Sequence, residues 1–347
     1  MTIHDMREPH RFSRPLCAAL PRRPAGGTRR LRRLLALTIT GAAAAGCGSG
    51  GHAPAASSPA VGSPVVVAAV PAPGAAALYI AARRGLFARA GLDVRVESSV
   101  SASDVLPDLV NGSVSVALGQ WTSALAAEAA GVKLTVIAPG NSGGPGLEEL
   151  VTAPGSGITR VGQLRGKVIA VNALSGLPQA LTDSVLAGAG VPASAARYTA
   201  VPFPSMGAAL AARRVAAAFL VAPYLSQAAG QVRVLADVDD GPVTRGIPVT
   251  GYYASKAWAG AHKAQLAAFT RALAQAQEIA AADPAAARQA IAAYTGVSGA
   301  VAAKMALGVF PASASAAGLD RVGALLQRYG LLPASARVSA LVSEMTS

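Results

Sequence analysis

Charged and aromatic side chains are scarce in this chain. Of its 347 residues 14% are charged and 4% aromatic, and it holds two cysteines and four histidines. Two cysteines build neither a disulfide scaffold nor a cysteine-ligated zinc site. His4, His10 and His52 fall in the N-terminal segment and the stretch after it, and His262 stands alone at a polar helix start. No metal site is therefore expected. There is no serine nucleophile elbow, P-loop or H-E-x-x-H stretch, so the chain is not expected to be an enzyme and no cofactor is implied. Heptads and a collagen period are missing as well. With 37 Gly and 23 Pro the chain stays below the roughly 25–30% that marks low-complexity disorder. What it has in quantity is apolar residues, 52%, enough to bury a core.

The formal charge of +13 is concentrated at one end. Residues 1–46 carry nine Lys/Arg against two Asp/Glu, and the rest 21 against 15. The remaining cations form no stripe interleaved with aromatics, so nucleic acid is not an expected partner. Arg29, Arg30, Arg32 and Arg33 precede an apolar run from Leu34 to Ala45, the proportions of a secretory signal. The run is too short to span a bilayer, which takes roughly 20 apolar residues. Arg32-Arg33 also permits twin-arginine export. Ala44-Ala45-Gly46-Cys47 resembles the lipobox of bacterial lipoproteins, with Ala44 where Leu is usual. That resemblance implies a signal peptide over 1–46, lipid on Cys47, and a flexible tether over 47–64 rich in Gly, Ser and Pro. The folded body is then expected at the extracytoplasmic face of the membrane.

From Val65 onward the chain alternates. Strands are expected at Val65–Val70, Leu92–Glu97, Val114–Leu118, Leu134–Ala138, Glu149–Thr152, Lys167–Val171, Tyr198–Val201, Ala217–Leu220, Val232–Ala236 and Thr250–Ala254. Helical patterns lie between most of them, and from Lys263 the pattern is helical at 263–282, 284–295, 298–307 and 315–328. Such alternation predicts α/β architecture with largely parallel sheets covered on both faces. One segment echoes another: Leu109–Ala117 leads through Gly119-Gln120-Trp121 into a helix, and Leu210–Ala218 leads through Ala222-Pro223-Tyr224 into a second. The echo suggests two similar lobes; chance similarity in an Ala-rich chain is the alternative.

Leu78 to Val94, with Gly85-Leu86-Phe87 and Gly91-Leu92-Asp93-Val94, resembles the opening block of the nitrate/sulfonate/taurine-type substrate-binding proteins of ABC importers, which are related to thiamine-pyrimidine-binding proteins. Gln163-Leu164-Arg165-Gly166-Lys167 resembles that family's second block, and the two echo segments its third. Ser115, Ala216 and Gln163 depart from it where Asp is usual. The resemblance implies a two-lobed periplasmic-binding-protein-like fold (type II): two mostly parallel sheets flanked by helices and joined by two hinge crossings. Lobe 1 is expected at 65–152 plus 248–347 and lobe 2 at 153–247, with hinges near Thr152–Gly157 and Thr244–Thr250.

In open parallel sheets ligands collect beyond the carboxyl ends of the strands, where helices begin. This selects Gly74 and Ala75, then Gln120, Trp121 and Thr122 with Ser123, then Asn172 and Ser175, then Tyr224, with Tyr253 on the return crossing. Each has a plainer reading. Trp121 could simply pack at a helix start; Thr122, Ser123, Asn172 and Ser175 could be N-caps; Tyr224 and Tyr253 could be core. Arg245 could meet an anionic group or be a solvated hinge residue, and Asn141–Gly146 could be a cleft rim or a turn cluster. Asp237, Asp239 and Asp240 could hold a cation weakly or form a solvated turn. The function expected is capture of a small organic or oxyanion ligand (sulfonate, nitrate- or taurine-like, or thiamine-precursor-like) by a monomer that docks on the transmembrane subunits of an ABC permease and is held to the membrane through lipid on Cys47. A ligand sensor or accessory lipoprotein, or a small-metabolite enzyme on the same scaffold, are the alternatives.

Overall fold

Ten short strands form two separate five-stranded sheets in the computed structural model, which describes residues 62–99 and 102–334 together with 336 and 341. The signal segment, Cys47 and the tether up to residue 61 lie outside the described residues. The strands are β1 (Val65–Ala69), β2 (Val94–Ser98), β3 (Val116–Gln120), β4 (Leu134–Pro139), β5 (Glu148–Thr152), β6 (Val168–Val171), β7 (Arg197–Ala200), β8 (Ala217–Val221), β9 (Arg233–Asp237) and β10 (Thr250–Ser255). All ten overlap the runs read from β-branched and apolar clustering. The first sheet is ordered β2-β1-β3-β10-β4 and the second β7-β6-β8-β5-β9.

The two orders are one order written twice. β1 pairs in parallel with β2 and β3, as β6 does with β7 and β8. β10 runs antiparallel to β3 and β4, as β5 does to β8 and β9. Four strands of each sheet thus point one way and one points against them. The echo extends to single hydrogen bonds: Ser115 N donates to Val66 O, and Ala216 N to Val168 O, each at the entrance of the equivalent strand. Gly112 and Arg213 also coincide. Both turn the chain between helix and strand with positive φ, 84° and 56°.

Sheet membership moves one expected boundary. β5 was placed in the first lobe, with a hinge at Thr152–Gly157, but it hydrogen-bonds to β8 and β9 in the second sheet. Thr152 Oγ1 donates to Ala216 O within that lobe, at 2.7 Å. The chain therefore crosses first at 140–147, upstream of β5, and returns over 238–249, a stretch that includes most of the expected Thr244–Thr250 hinge. Pro145 and Gly146 make this crossing read as an ordinary turn, which is why the strand after it looked like a continuation of the first lobe.

The crossings are laced together. Gly144 N donates to Asp239 Oδ2 at 3.1 Å and Gly146 N to Asp237 Oδ2 at 2.8 Å. Thr250 Oγ1 donates to Asn141 Oδ1 at 2.6 Å and accepts from Asn141 N at 3.1 Å. Gly140 is obligatory here, because a Cβ would collide with Thr250 Oγ1.

The helices at Lys263–Ala282 and Pro284–Thr295 pack on the helix Ala76–Arg83 of the first lobe. Phe87 stacks on Phe269 at 5.1 Å between ring centroids, and Tyr79 on Tyr294 at 4.1 Å. The rest of the C-terminal region is not confined to the first lobe as expected. The helix Ala316–Arg328 touches both the helix Trp121–Ala129 and the helix Leu177–Gly188, and Gly299–Lys304 touches Tyr224–Gln227. The amphipathic face Leu319, Val322, Leu325 and Leu326 needs apolar cover, and it finds that cover on both sides.

The duplication supplies a test. Arg213 holds a left-handed conformation that costs an L-residue about 1–2 kcal/mol and that Gly112 holds freely in the other copy. Arg213→Gly should raise unfolding stability by up to ~1 kcal/mol once glycine's own entropy cost is subtracted. The midpoint of urea unfolding reads this out, and a lower midpoint would contradict it.

Candidate functional site

A cavity of about 250 Å³ opens where the carboxyl ends of both sheets meet. The first lobe walls it with Val70 and Ala72–Ala75 after β1, and with Leu118–Gln120, Thr122, Ser123 and Ala126 at the end of β3. The second lobe contributes Asn172–Gly176 after β6, Phe203 after β7, and Val221 at the end of β8. Asn141, Glu148, Val249 and Thr250 come from the crossings and their edges, and Leu106 and Leu331 complete the wall. The lobes approach closely: a Cβ on Gly176 would stand 3.6 Å from Gln120 Oε1 across the gap.

The expected site residues divide into two groups. Gly74, Ala75, Gln120, Thr122, Asn172 and Ser175 are brought together around the cavity, with Ser123. Trp121, Tyr224 and Tyr253 are not among its lining residues. Trp121 is 1% exposed and lies against the backbone of Gly251, where any Cβ would overlap the indole. It points to the far side of the helix start, because side chains of successive residues leave a helix about 100° apart. Tyr253 is fully buried, and burial raises its phenol pKa. Tyr224 stacks on Phe203 at 5.7 Å and so backs a residue that does line the cavity.

The capping alternative for the polar residues is not what the structure shows. The cap positions belong to Gln120 and Gly176, and neither these nor Ala75 places a side-chain cap on its helix. Three helices of 8, 9 and 12 residues therefore begin at the cavity without a side-chain cap, though Ala76 N donates to Pro73 O and Trp121 N to Val249 O. Around them the loops are held from behind. Tyr252 Oη donates to Gly74 O and Tyr294 Oη to Ala72 O, at 3.3 and 2.6 Å. Gly74 must be glycine, since a Cβ there would collide with Thr250 Oγ1. Ser175 sits at the rim with φ 58° and its N–H on Gln179 Oε1.

The residues that depart from the family's usual Asp are structural. Ser115 Oγ accepts from Val66 N at 3.2 Å, and Gln163 Oε1 accepts from Thr159 N and Arg160 N. Ser115 and Ala216 lie at the strand ends opposite the cavity.

Glu148, Asn141, Thr250 and Phe203 line the cavity but were not singled out as individual site residues from the sequence. Only the Asn141–Gly146 loop had been marked as a candidate rim. Among the described lining residues Glu148 is the one ionisable side chain, 3% exposed. Burial, then Asp239, then Asp237 push its carboxyl well above the usual range. Asp239 is raised to about 7, by burial and by Asp237, against a lowering hydrogen bond from Gly144. Asp237 and Asp239 are thus neither a solvated turn nor a cation site: they accept backbone N–H groups of the first crossing. Asp240 alone faces solvent, where it pairs with Arg245 at 2.7 Å, away from the cavity. Among the described residues no group of three or more His, Cys, Asp or Glu could hold a metal, and no helix is long and apolar enough to cross a membrane.

Residues 72–287 match the family model described as NMT1/THI5 like. No curated protein matches the chain. Among solved structures, the alkanesulfonate-binding protein SsuA from Xanthomonas axonopodis pv. citri, bound to MOPS, is 22% identical, with 81% of this chain and 98% of that one covered and a TM-score of 0.68. The periplasmic nitrate-binding protein NrtA from Synechocystis PCC 6803 is 15% identical over 82% and 86%, with a TM-score of 0.67. A Candida albicans protein exhibiting the generic periplasmic binding protein structural fold is 15% identical over 81% and 94%, with a TM-score of 0.63. At these identities the likeness establishes the fold: α/β, of the periplasmic-binding-protein kind.

The raised carboxyls fix a pH dependence. Asp239 at about 7, Asp183 at about 6 (raised by burial, lowered by the Tyr198 hydrogen bond) and Glu148 all bind protons more tightly folded than unfolded. Their stabilising contribution is fullest in acid and is lost as pH climbs through their folded values. The Tm should rise when pH is lowered from 8 to 5, and Asp239→Asn should flatten that slope while raising the Tm at pH 8. A Tm that falls over this interval in the unaltered protein would contradict the assignment.

Proposed function

Because the chain belongs to the NMT1/THI5-like family, we propose that it is the extracytoplasmic substrate-binding component of an ABC-type importer. It captures a small organic ligand between its lobes and presents it to the transmembrane subunits of a permease. The observation that carries this reading is the cavity itself, walled by loops from the carboxyl ends of both sheets and by both crossings. A ligand held there touches both lobes at once, so it binds the closed arrangement better than an open one and shifts the population toward closure. Its polar groups meet Gln120, Thr122, Asn172 and the uncapped helix starts, and its apolar body meets Leu118, Leu174 and Phe203. A binding role fits this wall better than catalysis does, because Glu148 has no second titratable group inside the cavity with which to form an acid–base pair. The chain acts as a monomer, exported by its N-terminal signal and anchored through lipid on Cys47.

Two measurements test this reading. Thermal unfolding of the full chain against a library of sulfonates, carboxylates, amines and heterocycles should find a compound that adds about 2.7 kcal/mol at a hundredfold excess over its Kd. The same compound should shrink the radius of gyration in solution scattering. Unchanged unfolding curves across the library would remove the receptor reading. For the anchor, Cys47→Ser should release the protein from membranes into the soluble fraction, and retention of that variant in washed membranes would refute lipidation at this residue.

A further inference from the structure

The unpartnered buried side-chain atoms of the cavity wall lie on the acceptor side. Among the described residues, two cavity-lining side chains hold a buried polar atom without a partner, Glu148 Oε2 and Asn172 Oδ1; the amide oxygen is an acceptor, and the carboxyl, which holds its proton tightly on its own, becomes an acceptor when a basic N–H-bearing group takes up that proton. Glu148 is 97% removed from solvent, and no Lys, Arg or His lines the cavity with it. The charged groups facing it from the neighbouring strand and turn are Asp237 and Asp239, which are acidic too and accept backbone N–H groups of the first crossing, Asp239 through Oδ2 while its Oδ1 is buried without a partner. A buried carboxyl without a donor is costly, and no neighbouring side chain is placed to offset that cost. An N–H donor on whatever fills the cavity would meet both atoms.

We propose that Glu148 is the specificity-determining residue of the cavity, accepting hydrogen bonds from an N–H-bearing end of the ligand (an amine, ammonium or amino-substituted ring), with Asn172 as the second acceptor. Glu148 enters from the start of β5 and Asn172 from the loop after β6, so both acceptors belong to the second lobe. The first lobe presents the amide of Gln120 and the hydroxyls of Thr122 and Ser123, which suit an acceptor-bearing end. The ligand is therefore two-ended, and a plain oxyanion such as nitrate satisfies one end only. This inference rests on the receptor reading above and narrows its ligand class.

Matched pairs of compounds test it by titration calorimetry on the full chain at pH 7.5: 2-aminoethanesulfonate against ethanesulfonate, 4-aminopyridine against pyridine, and butylamine against butanesulfonate. In at least one pair the N–H-bearing member should bind tenfold or more tightly than its partner. Glu148→Met should abolish that preference and Glu148→Gln, which keeps an acceptor of the same shape, should restore part of it. Asn172→Ala should weaken the same compound with little change in apo Tm. Both Glu148 variants should melt no lower than the unaltered protein, since each removes a buried acid beside Asp237 and Asp239. Binding of ethanesulfonate, butanesulfonate or nitrate with equal affinity, insensitive to Glu148→Met, would overturn the inference and leave the receptor reading standing. Silence from every compound, nitrate included, would overturn both.

Discussion

The two strands that run against their sheets are the ones the crossings deliver. β5 is the first strand after the chain leaves one lobe, and β10 the first after it returns. Each runs antiparallel to both of its neighbours, and the crossings that deliver them are pinned by the carboxylate and hydroxyl bonds that lace 140–147 to 237–250. This lacing is the constraint on which the rest depends. It brings the carboxyl ends of β1 and β3 to face those of β6 and β8. It also places Glu148 and Thr250, the first residues of the two reversed strands, at the floor of the cavity. Backbone N–H groups that would be stranded in a tight double crossing are satisfied by Asp237 and Asp239, and burial raises the proton affinity of Asp239 and Glu148.

The duplication explains why the site looks lopsided on a symmetric frame. Equivalent loops supply Gly74-Ala75 from one lobe and Asn172–Gly176 from the other, and equivalent strands end at Gln120 and Val221. Past those points the copies differ. After β3 a Trp turns inward to fill the space left by Gly251, whereas after β8 Pro223-Tyr224 turns outward onto Phe203. A repeated backbone gives the cleft its position, and unequal side chains at the strand ends give it a direction, with acceptors concentrated on the second lobe.

Much of this was legible in the amino-acid sequence. Apolar and β-branched runs marked every strand, and the helical pattern at 284–295 marked a helix that the structure shows capped by Asp283. The rule that ligands gather beyond strand ends selected nine residues, six of which line the cavity. What was lost depended on direction and distance. Trp121 sits between two lining residues, Gln120 and Thr122, and only the helical rotation and the bare backbone of Gly251, 130 residues on, decide that its ring faces the core. Glu148 reads locally as a solvent-side residue after Pro-Gly-Leu. Its burial follows from pairing with Val221 and from two aspartates about 90 residues downstream, none of which leaves a local mark. The first crossing was misplaced for a related reason: a strand's own residues do not announce which sheet it joins.

The helix Ala316–Arg328 lies against elements of both lobes, and Arg321 Nη2 donates to the carbonyls of Val243 and Arg245 in the return crossing. Any rotation that parts the lobes has to slide or peel this clasp, whose apolar face carries the buried Leu319, Val322, Leu325 and Leu326. The free-energy gap between the parted and joined forms is then set in part by side chains that never meet a bound molecule. Affinity in such a protein can drift through changes at Leu319, Val322 or Gly318 while the recognising groups stay untouched.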